Sequence, residues 1–345
     1  MSLPPVILGN SNRRFSGVTS TLLATLPGVR ERLEVTILGP HHLPPGTPHC
    51  TFRQLIKEGK DGQTRVFHAR RNDEMIQALL ARDVFGVPLK IIFTSTAQRY
   101  HSRFTRFLMG RMNHILTTCS AAGSYLRQPA RRTIPHGVDL KKYHPSPDRE
   151  SAWASLAYPG KYGIGIFGRV RPQKGTDLLV RAALKVLPKH PDFTLLIIGE
   201  ITPSFQSFVA ELKTEIEEAQ LSDRIRFLGE QPADRLPELF RAMTLTVALS
   251  RNEGYGLTVL EAMASGSAVL ASEAGAWKDI VIPGQTGEIV PCDDLLASTA
   301  ALDQLLSSDL PTLDAFGQAG RQRAEEFYDI DQEAAALCQT YQDLL

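Results

Sequence analysis

Eight short, apolar, β-rich runs recur along the chain, each closed by a turn signal and followed by a longer stretch of helical character. They are "LEVTILG" (33–39), "LKIIFTS" (89–95), "HILTTCS" (114–120), "GIGIFGR" (163–169), "FTLLIIGE" (193–200), "RIRFLGE" (224–230), "LTVALS" (245–250) and "SAVLAS" (267–272). A strand with one wet face alternates apolar and polar residues; these are apolar almost throughout, so both faces must be covered. Strands of that kind belong in parallel sheets, whose crossover connections place helices on both sides. The fold class expected is therefore α/β, with doubly wound parallel sheets. With 345 residues and 43% hydrophobic content, the chain holds enough material for two such bodies. The proline-rich, polar stretch "KKYHPSPDRESAWASLAYPGKYG" (141–163) interrupts the pattern, and a fresh strand and glycine turn follow it. A domain boundary is expected near residue 150.

The net charge of +1 hides an asymmetry: residues 1–150 carry 22 Lys and Arg against 10 Asp and Glu, and the remainder carries 16 against 27. A basic half of net +12 beside an acidic half of net −11 points to a polyanionic partner for the first half, or to attraction between the halves. Nucleic acid, an anionic lipid head group and a phosphorylated saccharide all fit that description, but no nucleic-acid-binding motif accompanies the charge. Cys50, Cys119, Cys292 and Cys338 lie far apart without CxxC or His-rich spacing, which argues against a zinc site or a disulfide framework. No long apolar run and no secretory leader pattern occurs, so a soluble, cytoplasmic chain is expected.

Two stretches carry chemistry. The first follows strand "GIGIFGR": in "GRVRPQKGTDLLVRAA", Arg169 and Lys174 flank a turn, with Thr176 or Asp177 placed to cap the next helix. Alone, such a pair reads as solvated loop charge; at a strand end beside a helix start it makes a seat for a diphosphate. The second is "RNEGYGLTVLEAMASG" (251–266), where Glu253, Gly254, Tyr255 and Gly256 lead into a helix containing Glu261. The two glycines let backbone approach a ligand, and the first-turn amides favour anionic oxygens. A carboxylate further along that helix is suited to accept hydrogen bonds from a vicinal diol, although a solvated helix position explains Glu261 equally well.

Together "FGRVRPQKG", "EGYGLTVLEAMASG" and the upstream "RTIPHGVDLKKYHP" resemble glycosyltransferase family 4, retaining enzymes of GT-B fold that transfer a sugar from a nucleotide-diphosphate donor. The resemblance covers most of the chain from residue 114 onward. It implies two Rossmann-like domains facing a central cleft: residues 1–150 for the acceptor, residues 151–326 for the donor, and residues 327–345 as a helix crossing back. It further implies that Arg169 and Lys174 hold the donor diphosphate, that Glu253 meets the transferred sugar and Glu261 the ribose, and that Gly254 and Tyr255 with the amides near Gly256, Leu257 and Thr258 complete the donor contacts. Two departures stand out. Ser267 and Ala268 occupy a place where the family commonly has proline, and Thr94 or Ser95 stands where many members have a sugar-contacting histidine. His101 is the nearest candidate for that catalytic role.

In the N-terminal half, Gly17 with Thr19, Ser20 and Thr21 resembles the glycine loop that closes on donor phosphate, and Arg13 and Arg14 stand beside it. In "FHARRNDEM", His68, Arg70 and Arg71 are candidate acceptor contacts, with Asn72 and Asp73 as helix caps. These stretches resemble the mannosyltransferases of lipopolysaccharide inner-core assembly. That narrower likeness implies GDP-mannose as co-substrate, an anionic Kdo-bearing glycolipid as acceptor, and peripheral contact with the inner membrane leaflet. Arg99, Arg103, Arg106 and Arg111, interspersed with Phe104, Phe107 and Leu108, read as a basic amphipathic helix for such a surface, or as an ordinary core-facing helix. The family likeness implies no metal and no further cofactor, the cations doing the work of a divalent ion; no DxD-type pair is present at a strand end. A UDP-sugar donor with another acceptor, a nucleotide-sugar epimerase, a phosphorylase and a non-catalytic sugar-nucleotide binder are the competing readings.

Overall fold

The computed structural model describes residues 3–345 and divides into two compact units. The first runs to Gly137 and takes back Ile330–Leu345; the second is Val138–Asp329.

The first unit is a seven-stranded, all-parallel sheet of order β3-β2-β1-β4-β5-β6-β7. Its strands are β1 (Val6–Gly9), β2 (Val35–Leu38), β3 (His49–Cys50), β4 (Arg65–Ala69), β5 (Leu89–Ser95), β6 (His114–Thr117) and β7 (Arg132–Thr133). The helices are α1 (Gly17–Arg32), α2 (Phe52–Glu58), α3 (Asn72–Leu79), α4 (Arg103–Met109) and α5 (Ser120–Ser124). Successive strand residues point to opposite faces, and each face has its own core. Ile7, Phe67 and Ile91 join Met75 and Leu55 on one side, while Val6, Leu8, Val66 and Ile92 join Leu22 and Leu26 on the other. The C-terminal helix, Ile330–Gln342, completes the second core with Ala334, Leu337 and Tyr341. It packs closely on α1, where Gly28 leaves room for Ala334. Glu333 anchors its start by accepting from the Gly137 amide at 2.8 Å, with His136 Nδ1 2.7 Å away.

The second unit is a six-stranded parallel sheet of order β10-β9-β8-β11-β12-β13. Its strands are β8 (Tyr162–Phe167), β9 (Phe193–Ile198), β10 (Ile225–Gly229), β11 (Met243–Ala248), β12 (Ala268–Ser272) and β13 (Gly287–Val290). Its helices are α6 (Arg149–Ala154), α7 (Thr176–Val186), α8 (Gln206–Glu218), α9 (Leu236–Ala242), α10 (Leu257–Ala264), α11 (Trp277–Ile280), α12 (Leu295–Ser307) and α13 (Leu310–Phe327).

The division falls at Val138, earlier than the proline-rich stretch suggests. Residues 141–163 read as a linker by composition, yet Tyr143 is buried against Phe240, and Trp153 lies over Gly163 at the start of β8. The Val138 amide donates to Tyr328 O at 2.8 Å, which closes the unit on itself. The second division likewise falls at Ile330 rather than residue 327, because Phe327–Asp329 stay with the closing strand contact.

Candidate active site

In the second unit the strand order reverses between β8 and β11. Loops leaving the carboxyl ends of two such strands diverge to opposite faces and open a crevice between them. The β8 loop carries Arg169 and ends in a 3₁₀ turn, Pro172–Lys174, followed by Gly175 at φ +71°. A side chain on Gly175 would run into the Leu249 carbonyl at the end of β11, so glycine is what lets the two loops touch.

Arg251 then fastens them. Its guanidinium forks onto Asp177 with two 2.8 Å bonds, donates to Asp293 at 2.7 Å and reaches the Pro172 carbonyl. Its amide donates to Gln173 O at 2.8 Å. Asp177, expected as a cap for α7, is instead consumed by this fork; α7 starts from Gly175 with no side-chain cap at all.

On this frame Lys174 forms an ion pair with Glu253, each side chain less than one-fifth exposed. The Ser250 hydroxyl and the Gly254 amide each approach the Glu253 carboxylate at 3.3 Å. Arg169 is exposed at the same strand end, without a described carboxylate in ion-pair range. Gly256, at φ +90°, opens α10 without a side-chain cap, so the first-turn amides from Leu257 and Thr258 onward are left to a ligand or solvent. The Trp277 indole donates to Gly256 O at 2.8 Å and fills the space a side chain there would need. Tyr255 is buried, its carbonyl accepting from the Ala276 amide at 2.9 Å. Glu261, further along α10, is half-buried in the neighbourhood of Tyr143. Burial pushes its pKa up, while Tyr143, Lys142 and Lys174 work the other way. Burial foremost, then Glu261, raises Tyr143, so the phenol remains a donor. Lys174 thus pairs with one glutamate and acts electrostatically on the other.

In the first unit the expected acceptor residues separate. His68 is fully buried, with Nδ1 2.7 Å from the Tyr341 hydroxyl and Nε2 2.7 Å from Thr94 Oγ1. Burial, with smaller effects of Arg70 and His136, holds its pKa well below the ordinary value. It is a structural residue that fixes the C-terminal helix, and it offers no nitrogen to a ligand. Arg71 is likewise committed: it pairs with the buried Glu74 at 2.8 Å and donates to Ser16 and Thr19 at the start of α1. The helix there is capped by Glu74 bonding back to the amides of Arg70 and Arg71, and Asn72 is already its first residue. Asn72 and Asp73 are therefore not the caps; Asp73 accepts from Ser11 Oγ at 2.7 Å.

Arg70 differs. Its Nη1 is buried without a hydrogen-bond partner beside a cavity of about 530 Å³ at the ends of β4 and β5, lined also by Ser95, Thr96, Arg99 and His101. His101 precedes α4 in a loop and is half-buried, with Nε2 2.9 Å from Ser95 Oγ. Burial, then Arg99 and Arg106, lowers its pKa. Arg13 and Arg14 are exposed, and Gly17 opens α1 with nothing within 4 Å of the position its side chain would take. The basic helix expected across Arg99–Arg111 is shorter: only Arg103–Met109 is helical, capped by Ser102. Among the described residues no three His, Cys, Asp or Glu side chains converge on a metal-holding arrangement. No helix among them is long and apolar enough to cross a membrane.

Sequence reading missed Arg251, Tyr143 and Trp277. Arg251 was within reach, as a cation directly after a strand end; nothing local marks Tyr143, which meets Glu261 only in the folded unit.

Comparison with known proteins places the family and the fold. Residues 148–323 match the family described as glycosyl transferases group 1. The chain is 41% identical over 344 residues to the lipopolysaccharide core biosynthesis mannosyltransferase LpcC of Rhizobium leguminosarum bv. viciae, covering 99% of this chain and 96% of that one. It is 40% identical to LpsB of Rhizobium meliloti, of the same description, covering 99% and 97%. In fold it matches the crystal structure of Anabaena HepE in complex with UDP, at a TM-score of 0.84 over 99% of this chain and 100% of that one, with 18% identity.

Proposed function

This chain belongs to the glycosyl transferases of group 1, with the GT-B fold, and we propose that it moves mannose from GDP-mannose onto the Kdo-containing inner core of a lipid A precursor at the cytoplasmic face of the inner membrane. The choice of sugar and acceptor is supported by two relatives described as lipopolysaccharide core mannosyltransferases, whose identity extends over nearly the whole chain. The basic first unit, with 19 Lys and Arg against 10 Asp and Glu, suits an anionic acceptor.

The observation that carries the donor reading is the convergence of Arg169, Lys174, Glu253 and the uncapped start of α10 at the strand switch between β8 and β11. The donor diphosphate lies against Arg169, Lys174 and the α10 amides, which are already in place for the negative charge that grows as the glycosidic bond breaks. Taking up the phosphate draws Lys174 from Glu253, and the freed carboxylate accepts from the hexose hydroxyls. Glu261, oriented by Tyr143, accepts from both ribose hydroxyls. The acceptor hydroxyl arrives on the side from which the diphosphate leaves, passes its proton to the departing phosphate oxygen and bonds to the anomeric carbon, so the configuration is retained. Cationic side chains and amides supply the electrostatic stabilisation, and no cofactor is invoked.

Isothermal titration with GDP-mannose, UDP-glucose, UDP-N-acetylglucosamine and ADP-glucose tests the donor. GDP-mannose should bind alone among them, and Lys174→Ala should weaken it at least tenfold, the loss of one charge-assisted contact at about 1.5 kcal/mol or more. A uridine preference would overturn the GDP-mannose assignment while leaving the family intact. Transfer of labelled mannose to Kdo-lipid A then tests the acceptor.

A further inference from the structure

We propose that Phe15 and His42 form an aromatic platform at the carboxyl end of the first sheet, on which a sugar ring of the acceptor stacks while Arg13 and Arg14 take its carboxylate. This rests on the reading of an acidic glycan acceptor and adds to it the residues that hold the ring.

The platform stands at a strand switch. The first sheet reverses between β1 and β4, as the second does between β8 and β11, and loops leaving such strand ends diverge. The loop after β1, residues 10–16, is fastened on both sides. Toward β4, Ser11 Oγ donates to Asp73 at 2.7 Å and Arg71 donates to Ser16 Oγ at 3.0 Å. Toward β2, the Asn10 amide donates to Leu38 O at 3.0 Å, and its side chain donates to His41 O at 2.7 Å. His42 Nε2 then donates to Arg13 O at 2.8 Å.

His42 holds a left-handed backbone at φ +60°, a conformation unfavourable to any residue with a side chain. Strain of that kind persists only where the surroundings impose it, and it gathers at ligand clamps. What it secures here is a ring contact: the imidazole meets Phe15 edge-to-face, with centroids 5.3 Å apart and planes at 79°. Phe15 nevertheless stays 54% exposed. A lone exposed apolar side chain is ordinary, but a ring pinned at the surface by a strained neighbour is one being presented.

A pyranose carries C–H groups on its faces and hydroxyls around its rim, so one face packs on an aromatic ring while the rim keeps its polar contacts. Arg13 and Arg14 supply such contacts. Both are exposed, and neither forms an ion pair among the described residues. The Arg14 amide donates to Asn12 Oδ1 at 2.8 Å, closing the turn that carries them. A guanidinium forks onto a carboxylate with two parallel bonds. An apolar ring beside two unneutralised arginines therefore suits a sugar that bears a carboxylate on its own ring. A free phosphate would leave Phe15 uncovered, and a neutral hexose would leave the arginines unmatched.

The test is steady-state transfer of labelled mannose from saturating GDP-mannose to Kdo-lipid A and to its carboxyl-reduced counterpart. Phe15→Ala should raise KM for either acceptor about tenfold, through loss of apolar contact over part of a phenyl ring, and leave kcat unchanged. Phe15→Tyr should restore the wild-type KM, and Phe15→Leu, which has no flat face, less than half of the lost affinity. His42→Gly removes the strain and the ring contact together, so its melting temperature should hold or rise while KM rises about threefold. Arg13→Ala with Arg14→Ala should raise KM about tenfold for Kdo-lipid A and leave the reduced counterpart unmoved, a difference that a merely structural role would not produce. An unchanged KM in Phe15→Ala, or a fall in kcat at unchanged KM, would overturn the platform. An equal effect of the arginine pair on both acceptors would assign those arginines to lipid phosphate and overturn the carboxylate. The same assay separates this inference from the reading it rests on. Wild-type transfer to Kdo-lipid A with Phe15→Ala performing equally refutes the platform alone, and wild-type transfer to neither acceptor, in a chain that binds GDP-mannose, refutes the acceptor reading.

Discussion

Replacing Arg251 with alanine should loosen the donor loops before it touches any ligand. The guanidinium makes a two-bond fork to Asp177 at 2.8 Å and a further bond to Asp293 at 2.7 Å, with Arg251 27% and Asp177 10% exposed at the side chain. Removing one partner of a fully buried pair costs about 3–5 kcal/mol, and an exposed pair costs about 0–1. This pair lies nearer the buried limit on the aspartate side, and solvent reaches the arginine, so about 2–3 kcal/mol is the expected loss. For a domain of this size that corresponds to about 5–10 °C in melting temperature. Because Arg251 also ties the Pro172–Lys174 turn to β11, GDP-mannose affinity should fall about tenfold even though Arg251 is not assigned a donor contact. Arg251→Lys keeps the charge and loses the fork, and should recover less than half of the stability. A double-mutant cycle with Asp177→Ala isolates the pair, with a coupling of about 2 kcal/mol expected. A coupling below about 0.5 kcal/mol would mean that Arg251 is ordinary surface charge and that something else positions the loops.

Glu261→Gln separates two effects of one carboxylate. Burial raises its pKa, so stability is fully present below the ordinary carboxylate range and is lost as pH rises through the folded value. The glutamine variant should therefore have a higher urea midpoint at neutral pH, yet bind GDP-mannose about ten- to hundredfold more weakly through loss of charged acceptors for the ribose. His68 works in the opposite pH direction: its folded pKa is depressed, so the unfolded chain takes up the proton first as pH falls through about 6.5. Stability should drop by about 1.4 kcal/mol by pH 5.5, where the unfolded imidazole is about nine-tenths protonated. Thermal melts of His68→Phe should lose that slope while starting about 2–4 kcal/mol lower, because the Tyr341 and Thr94 hydroxyls are left bare. Gly256→Ala should cost about 2–4 kcal/mol, combining a left-handed backbone with a clash against Trp277, and tryptophan emission should report the displaced indole.

Strands with unbroken apolar character were legible, and with them the parallel, helix-covered architecture. Strand β4 was harder to read, since "RVFHA" places an arginine and a histidine inside it. Both are buried only because partners meet them: Arg65 forks onto Asp61 at 2.8 and 2.6 Å, and His68 lies between two hydroxyls. Strand β1, four residues long, is too short for periodicity to register. In the second unit, cations and glycines at strand ends were legible as two candidate stretches, while the grouping of Arg169, Lys174, Glu253 and Glu261 into one site is what the resemblance to glycosyltransferase family 4 implies. In the first unit the same style of reading grouped His68, Arg70 and Arg71, and folding assigned one to the interior, one to a cavity and one to the start of α1.

By itself, then, the sequence determined what depends on near neighbours: which runs become strands, which turns need glycine, and which helix starts are left open to an anion. The tertiary structure alone decided the pairings between distant segments. Arg251 meets Asp177 across 74 residues, and His68 meets Tyr341 across 273. Those meetings follow from strand order in the two sheets and from the return of the C-terminal helix to the first unit, and residue periodicity, which reports only local geometry, carries no trace of either.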